Sequence, residues 1–385
     1  MSAVAISLNP DLKRLQDEGY ELEIRDGYAI IGNVPYLDSS GAIQYGALVS
    51  PIRMIGDRVR YDGNHIIYFC GTKPYHKTGV PMEAVYNSDC KKTLAGVPVQ
   101  MMFSNKPTNG YKDYYEKFSR YIELLSAEAK AVDPTVTAAT FRKVVSCDDS
   151  VFHYADTNAS RAAISDISDK LRSHRVGIVG VGGTGSYILD QVAKTPVSEI
   201  HLYDGDVFCQ HNAFRAPGAP AKMLFEQQSH KTDYFKSIYG NMHRHIFSHP
   251  YNLDNNNLSE LDSLDFVFLA MDSGESKRVI VDYLRNHNIS FIDTGIDITR
   301  VELSLAGMAR ATLSVNGDTQ TADKHISYNE ADKDLYQSNV QTADLNALCA
   351  ISAVILWKKH LGFYKDDVCK ENCLYSTGDG EFVWS

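Results

Sequence analysis

Residues 180–186 read Gly-Val-Gly-Gly-Thr-Gly-Ser. They stand between an uninterrupted apolar run, Val176–Gly180, and a helical pattern, Thr184–Lys194. A strand, a glycine-rich turn and a helix in that order leave few folds open. Small residues let the backbone approach phosphate oxygens, and the start of the helix offers free N–H donors carrying partial positive charge. The spacing also satisfies G-x-G-x-x-G, which points to a nucleotide without saying which one. A glycine-rich turn that holds no ligand is the bland alternative.

The flanking pattern extends the argument. Glu199–Tyr203, Asp265–Ala270 and Ser290–Asp293 read as short, largely apolar strands, and Leu224–Tyr239 and Lys277–Asn286 as helices. Strands that alternate with helices predict a Rossmann-like, doubly wound, mostly parallel sheet covered on both faces. Arg300–Met308 and Arg310–Val315 read as an antiparallel extension. The polar stretch Asn316–Gln341 is expected to be a loop or crossover, Leu345–Leu361 an apolar helix, and Gly378–Gly380 the turn of a hairpin.

The first half has a different character, a smaller α+β domain. Tyr20–Arg25, Tyr28–Ile31 and His65–Cys70 are its strand candidates. The Gly-, Pro-, Asn- and Lys-rich stretch 71–110 is expected to be loop. Tyr111–Val132 has helical spacing that Asp133-Pro134 ends, and a short helix is expected over Thr137–Val144. The polar, acidic stretch Ser146–Asn158 sets the expected boundary, giving domains 1–150 and 151–385; 385 residues suit two domains.

Composition removes several classes. Hydrophobic residues make up 44% and charged residues 22%, a globular mixture. A net charge of −10 makes non-specific binding to nucleic acid or anionic membrane an unexpected role. No apolar run approaches the roughly 18 residues of a membrane span, and the start MSAVAISLNPDLKRL does not read as a secretory signal. The seven cysteines, Cys70, Cys90, Cys147, Cys209, Cys349, Cys369 and Cys373, are scattered and odd in number. They fit free thiols in a reducing cytoplasm, where the chain is expected to reside. Cys369 and Cys373 offer at most half of a zinc site.

Polar residues after the strands then narrow the chemistry. Asp204 ends the second strand, about 20 residues beyond the glycines, where a carboxylate commonly meets ribose hydroxyls, with Asp206 as the second choice. Asn212 and Arg215 follow in GDVFCQHNAFRAPG, Lys231 lies further on with Lys222 as its competitor, and Asp272 lies just past the strand Asp265–Ala270. Hydride transfer needs only the glycines and an acid. Phosphoryl chemistry needs cations on the phosphates and an acid for Mg²⁺. Each residue also has a bland role: Lys231 on a solvated helix face, Asp272 as a helix cap, Asp204 in a turn.

The pieces RVGIVGVGGTGS, IHLYDGDVFCQHNAFR, Lys231 and FVFLAMDS make the region from about Arg161 to Leu361 resemble the ThiF/MoeB/ubiquitin-activating superfamily. The resemblance implies an ATP- and Mg²⁺-dependent adenylyltransferase. It places Gly180, Gly182, Gly183, Gly185 and Ser186 around the phosphates and Asp204 on the ribose. Asn212, Arg215 and Lys231 would meet the triphosphate, Asp272 would bind Mg²⁺, and Arg161 would complete the site, often from the other subunit of a homodimer. The implied substrate is the C-terminal carboxylate of a ubiquitin-like or sulfur-carrier-like protein; membrane and nucleic acid are not expected partners.

The sequence also departs from that family. The stretch Asn316–Gln341 holds no cysteine to receive a thioester, Cys349 sits in an apolar helix, Cys209 near the nucleotide loop has no support, and the zinc-binding cysteine pairs of MoeB-type members are missing. Tyr336, Asn339, Gln341 and Asn346 either line a path for a partner's tail or simply cap a helix. KPTNGYKDYYEKFSRYIELL resembles a domain found in front of bacterial ThiF-like modules, which makes residues 1–150 the expected partner-recognition domain. An NAD-dependent oxidoreductase, an idle nucleotide-binding scaffold and an enzyme that adenylates an RNA base stay open as alternatives.

Overall fold

A computed structural model describes residues 2–142, 144, 150–162, 164–272, 274–316, 320–328 and 340–385. The chain divides into two compact units, Met1–Ser168 and Asp169–Ser385. Among the described residues no helix is long and apolar enough to cross a membrane.

The first unit is a six-stranded antiparallel sheet backed by helices. Its helices include α1 (Ser2–Leu8), α2 (Pro10–Asp17) and α3 (Tyr114–Lys130). The strands are β1 (Leu22–Arg25), β2 (Tyr28–Leu37), β3 (Ile43–Pro51), β4 (Ile66–Cys70), β5 (Tyr86–Leu94) and β6 (Val97–Ser104), in the order β1-β2-β3-β4-β6-β5. Asp113 caps α3 by accepting the Glu116 N–H at 2.8 Å. The apolar stripe of α3, Phe118, Tyr121, Ile122 and Leu125, then packs on Ile31, Leu48, Phe69 and Phe103 of the sheet.

The structure departs from two expectations for this half. Residues 71–110 are not loop throughout: β5 and β6 form a hairpin over Tyr86–Ser104, turned by Ala95 and Gly96 with φ of +48° and +75°. β5 is an edge strand that leaves Lys91 and Lys92 exposed, so its polar sequence hides its pairing. No helix forms over the described part of Thr137–Val144. Ala139 instead bridges to Tyr20, and Phe141 takes a φ of +56°, which helices do not use.

Lys117 of α3 is fully buried, and its Nζ donates to Ser50 Oγ at 2.8 Å. Burial pushes this ammonium down to about 7, against an opposing pull from Asp62. An unfolded lysine titrates near 10.4, so between about pH 7 and pH 10 the unfolded chain holds a proton the folded one has released. Stability should therefore rise with pH across that window, and the full penalty of a buried charge, on the order of a few kcal/mol, should apply below it. Lys117→Met, of similar length, should flatten the dependence and raise the melting temperature at pH 7. A melting curve of this variant that still tracks pH as wild type does would locate the titrating group elsewhere.

The second unit is an eight-stranded sheet. Its strands are β7 (Arg175–Val179), β8 (Glu199–Tyr203), β9 (Ile246–His249), β10 (Phe266–Leu269), β11 (Ser290–Val301), β12 (Ser304–Ser314), β13 (Asn372–Ser376) and β14 (Phe382–Trp384). The order is β9-β8-β7-β10-β11-β12-β13-β14. The first five are parallel and β11 to β14 pair antiparallel, so the expected doubly wound sheet is present. Its antiparallel extension is present with other bounds, because the expected strand Arg300–Met308 contains the turn at Glu302 and Leu303, and β12 is unbroken at Ala309. Every residue of β10 is buried, as is all of β7 except Arg175, which is why both read as continuous apolar runs.

Helices cover both faces. On one, α4 (Gly183–Val192) and α7 (Ala343–His360) bring Ile188, Leu189, Ala353 and Trp357 against Val176, Ile178, Ile200 and Phe268. On the other, Ile280, Val281 and Leu284 of α6 (Glu275–Asn286) meet Val267, Leu269 and Phe291.

The expected single helix Leu224–Tyr239 is two pieces. A 3-10 turn, Lys222–Gln227, ends at Gln228 with φ +49°, and α5 (Lys231–Tyr239) begins three residues later. β11 runs on from Asp293 to Val301, and β9 is a strand its polar sequence did not announce. Part of the expected crossover forms a short helix, Gln320–His325; Tyr336, Asn339, Cys147 and the first four residues of the expected domain boundary, 146–149, lie outside the described residues.

Candidate nucleotide site

The chain leaves β7 for β8 on one side and later returns to β10 on the other. The sheet thus switches direction between β7 and β10, the place where open α/β sheets bind ligands. Gly180 lies at this point. Its N–H donates to the Tyr203 carbonyl at 2.8 Å, its φ is +83°, and a Cβ there would stand 2.5 Å from the Ala270 carbonyl oxygen. Only glycine meets both demands.

The other glycines divide by what they face. A Cβ on Gly182 would meet nothing within 4 Å, so the loop opens outward there. A Cβ on Gly183 would overlap the side-chain amide of Asn346, and one on Gly185 would overlap the Gly180 carbonyl oxygen. Gly182 precedes α4, whose first N–H groups are those an anion at this end would meet. Ser186 is fully buried, and its hydroxyl donates back to the Gly183 carbonyl at 2.7 Å, so it braces the turn from within.

Asp204 follows β8 and fastens the loop. Its carboxylate accepts the Val181 N–H at 2.9 Å and the Asp206 N–H at 2.9 Å. Lys231 stands 3.4 Å from both Asp204 oxygens and donates to Asp206 Oδ2 at 2.6 Å. The Lys231 and Asp204 side chains are each 9% exposed, whereas that of Asp206 is 73% exposed. The break at Gln228 makes this possible: it lets α5 start where the Lys231 N–H reaches the Asp206 carbonyl at 3.0 Å. Lys231 therefore stands between two carboxylates and not on a solvated helix face.

Asn212 and Arg215 come from the 3-10 turn Gln210–Phe214 and its last cap. Asn212 is buried; its Oδ1 accepts the Cys209 N–H at 2.8 Å, but its Nδ2 has no partner among the described residues. Arg215 Nε is also buried without a partner among the described residues. Unpaired buried donors cost about 1–3 kcal/mol each, and two of them beside a glycine loop fit an acceptor-rich ligand. His211 reports the local potential. Burial first, then the positive fields of Arg215 and Lys231, push it below its usual value.

Asp272 is exposed just past β10, before α6. Among the described residues no group of three or more His, Cys, Asp and Glu could hold a metal ion. A single carboxylate suits Mg²⁺, which takes most of its ligands from phosphate and water. Arg161 belongs to the short helix Thr157–Ala162 of the first unit.

The structure adds Thr184 and gives Asn346 a place beside the glycine loop. Thr184 Oγ1 donates to Asn346 Oδ1 at 3.0 Å, and Asn346 Nδ2 donates to the Arg215 carbonyl at 3.2 Å. A lone asparagine in the apolar run LNALCAISAVILW was the signal for this link. Cys349 is buried, with its thiol pushed up to about 12 by burial, which suits a structural role. Cys373 is buried in the core while Cys369 is exposed, so the two do not share one surroundings.

Comparison with known proteins fits this geometry. Residues 10–157 match a domain of unknown function (DUF6791), and residues 149–362 match the ThiF family. Among solved structures, Escherichia coli MccB with MccA-N7isoASN aligns at 17% identity and a TM-score of 0.45, over 60% of this chain and 72% of that one. PaaA aligns at 16% identity and 0.46, over 74% and 92%. MccB with ATP aligns at 18% and 0.42, over 57% and 65%. No curated protein matches the chain. The ThiF match spans more than half of the chain and takes in the glycine loop, Asp204, Asn212, Arg215, Lys231 and Asp272, so the chain belongs to the ThiF family.

Proposed function

We propose that the second unit adenylates a carboxylate at the expense of ATP, and that the carboxylate is the C-terminus of a ubiquitin-like or sulfur-carrier-like protein. The observation that carries the reading is the pair of unpartnered buried donors, Asn212 Nδ2 and Arg215 Nε, beside a glycine loop in a ThiF-family chain. In this reaction a carboxylate oxygen bonds to the α-phosphorus of ATP, the bond from that phosphorus to the bridging oxygen breaks, and pyrophosphate leaves.

The protein's task is positioning and charge stabilisation. The N–H groups at the start of α4 hold phosphate oxygens, Asp204 takes the ribose, and Arg215, Asn212 and Lys231 face the departing pyrophosphate. Asp272 would hold Mg²⁺, which spreads the charge on the phosphates. No side chain needs to be a strong base, since the attacking carboxylate is ionised at pH 7. Residues 1–150 serve partner recognition, and the enzyme works as a homodimer with Arg161 completing the site of the second copy.

Thermal stabilisation separates this reading from hydride transfer. At a hundred times its Kd, a ligand adds about 2.7 kcal/mol to the folded state. Mg·ATP should raise the melting temperature, and Asp272→Ala should weaken the rise in the presence of Mg²⁺. Stabilisation by NAD alone would instead make the protein a dehydrogenase, and stabilisation by neither would leave a nucleotide fold that has lost its ligand.

A further inference from the structure

We infer that Asn346, on the last long helix, is the positioning residue that aims Arg215 at the outer phosphates of ATP. The inference rests on the proposed role of Arg215 as a phosphate ligand. It concerns what holds that arginine in place.

The segment around Arg215 makes few hydrogen bonds of its own. Its own turn gives one backbone bond, from the Arg215 N–H to the Asn212 carbonyl at 3.1 Å. Ala216, the next residue, is buried in the core, but Phe214 is 78% exposed and the stretch from Gly218 to Met223 is largely exposed. The remaining bond comes from 131 residues further along the chain: Asn346 Nδ2 donates to the Arg215 carbonyl.

Asn346 is suited to this task. It is 1% exposed, and both ends of its amide are used. A carbonyl only accepts, so the nitrogen must face Arg215 and the oxygen must face the Thr184 hydroxyl; the orientation has no alternative. The amide also lies where a side chain on Gly183 would be, so the glycine loop leaves it a fitted slot. One side chain thereby sets the distance between the start of α4, where phosphate oxygens would bind, and the arginine that would neutralise them. Two donors on separate elements must be correctly spaced to share one polyphosphate, and a small displacement is costly.

A double-mutant cycle on the full-length chain tests the inference, with Mg·ATP and AMP as probes in titration calorimetry. Asn346→Ala should lower ATP affinity about tenfold or more, while AMP, which lacks the outer phosphates, should change less than about threefold. In an Arg215→Ala background, Asn346→Ala should add less than about a factor of two, because the group it positions is already gone. Asn346→Asp keeps the volume and the acceptor for Thr184 but loses the donor, and it takes the place of the alanine variant if that variant does not fold. Multiplying effects, or equal losses for ATP and AMP, would overturn the inference and leave Asn346 a packing residue. If Arg215→Ala itself leaves ATP affinity unchanged, the reading of the site fails instead.

Discussion

Gly185→Ala is expected to lower the stability of the second unit by about 3 kcal/mol or more and to abolish stabilisation by Mg·ATP. The added methyl would overlap the carbonyl oxygen of Gly180, and the Ala270 Cβ at 3.2 Å closes the other side. Neither obstacle is the loose end of a flexible side chain. To make room, α4 must move off the end of β7, or Gly180 must give up its bond to Tyr203. Either shift moves the N–H groups that would face phosphate. Melting curves with and without Mg·ATP check both parts. If the variant melts with wild type and binds ATP equally, the close approach of α4 to Gly180 has no bearing on the site.

Lys231→Ala should cost about 3 kcal/mol in the absence of any nucleotide. The lysine is the cation between Asp204 and Asp206, and Asp204 is almost wholly buried. Removing it leaves a buried carboxylate next to a second one, and breaking such a group costs far more than an exposed ion pair is worth. The backbone bonds from Val181 and Asp206 to Asp204 survive, so the loss should fall at the low end of the usual range. The apo protein is the informative sample. Lower apo stability makes Lys231 a brace of the loop whatever it later does to phosphate. Unchanged apo stability with lost ATP binding would make it a phosphate ligand alone.

The parts of this protein that could be read from sequence are those with one strong cause. The runs at β7 and β10 are apolar because both faces are covered, and Gly180, Gly183 and Gly185 stand where a Cβ has no room. Residues 210–215 were visible because polar and cationic side chains recur just beyond a strand end. The edge strands β5 and β9 were not visible, because a strand with an open side carries polar residues that imitate loop. The split before α5 was missed because Gln228 has no sequence mark of its left-handed backbone. Asn346 lies 131 residues from Arg215 and 162 from Thr184, and no local pattern links positions that far apart.

The stretch from Ala216 to Gln228 is tied down at both ends and mostly exposed between them. Arg215 is held by Asn346 and by the buried Ala216 beside it, and Lys231 by the Asp206 backbone and side chain, so neither takes its position from the exposed residues 218–223 between them. The connection acts as slack. Residues can be added to or removed from its exposed middle at a small entropic cost, since loop closure changes by only about 0.6 kcal/mol for each doubling of length. The spacing between the arginine and the lysine is therefore free to drift among relatives while the two cations keep their places. Alignments that enforce a fixed interval would lose Lys231 here, and a tag or fluorophore inserted at Gly218 should leave the site intact.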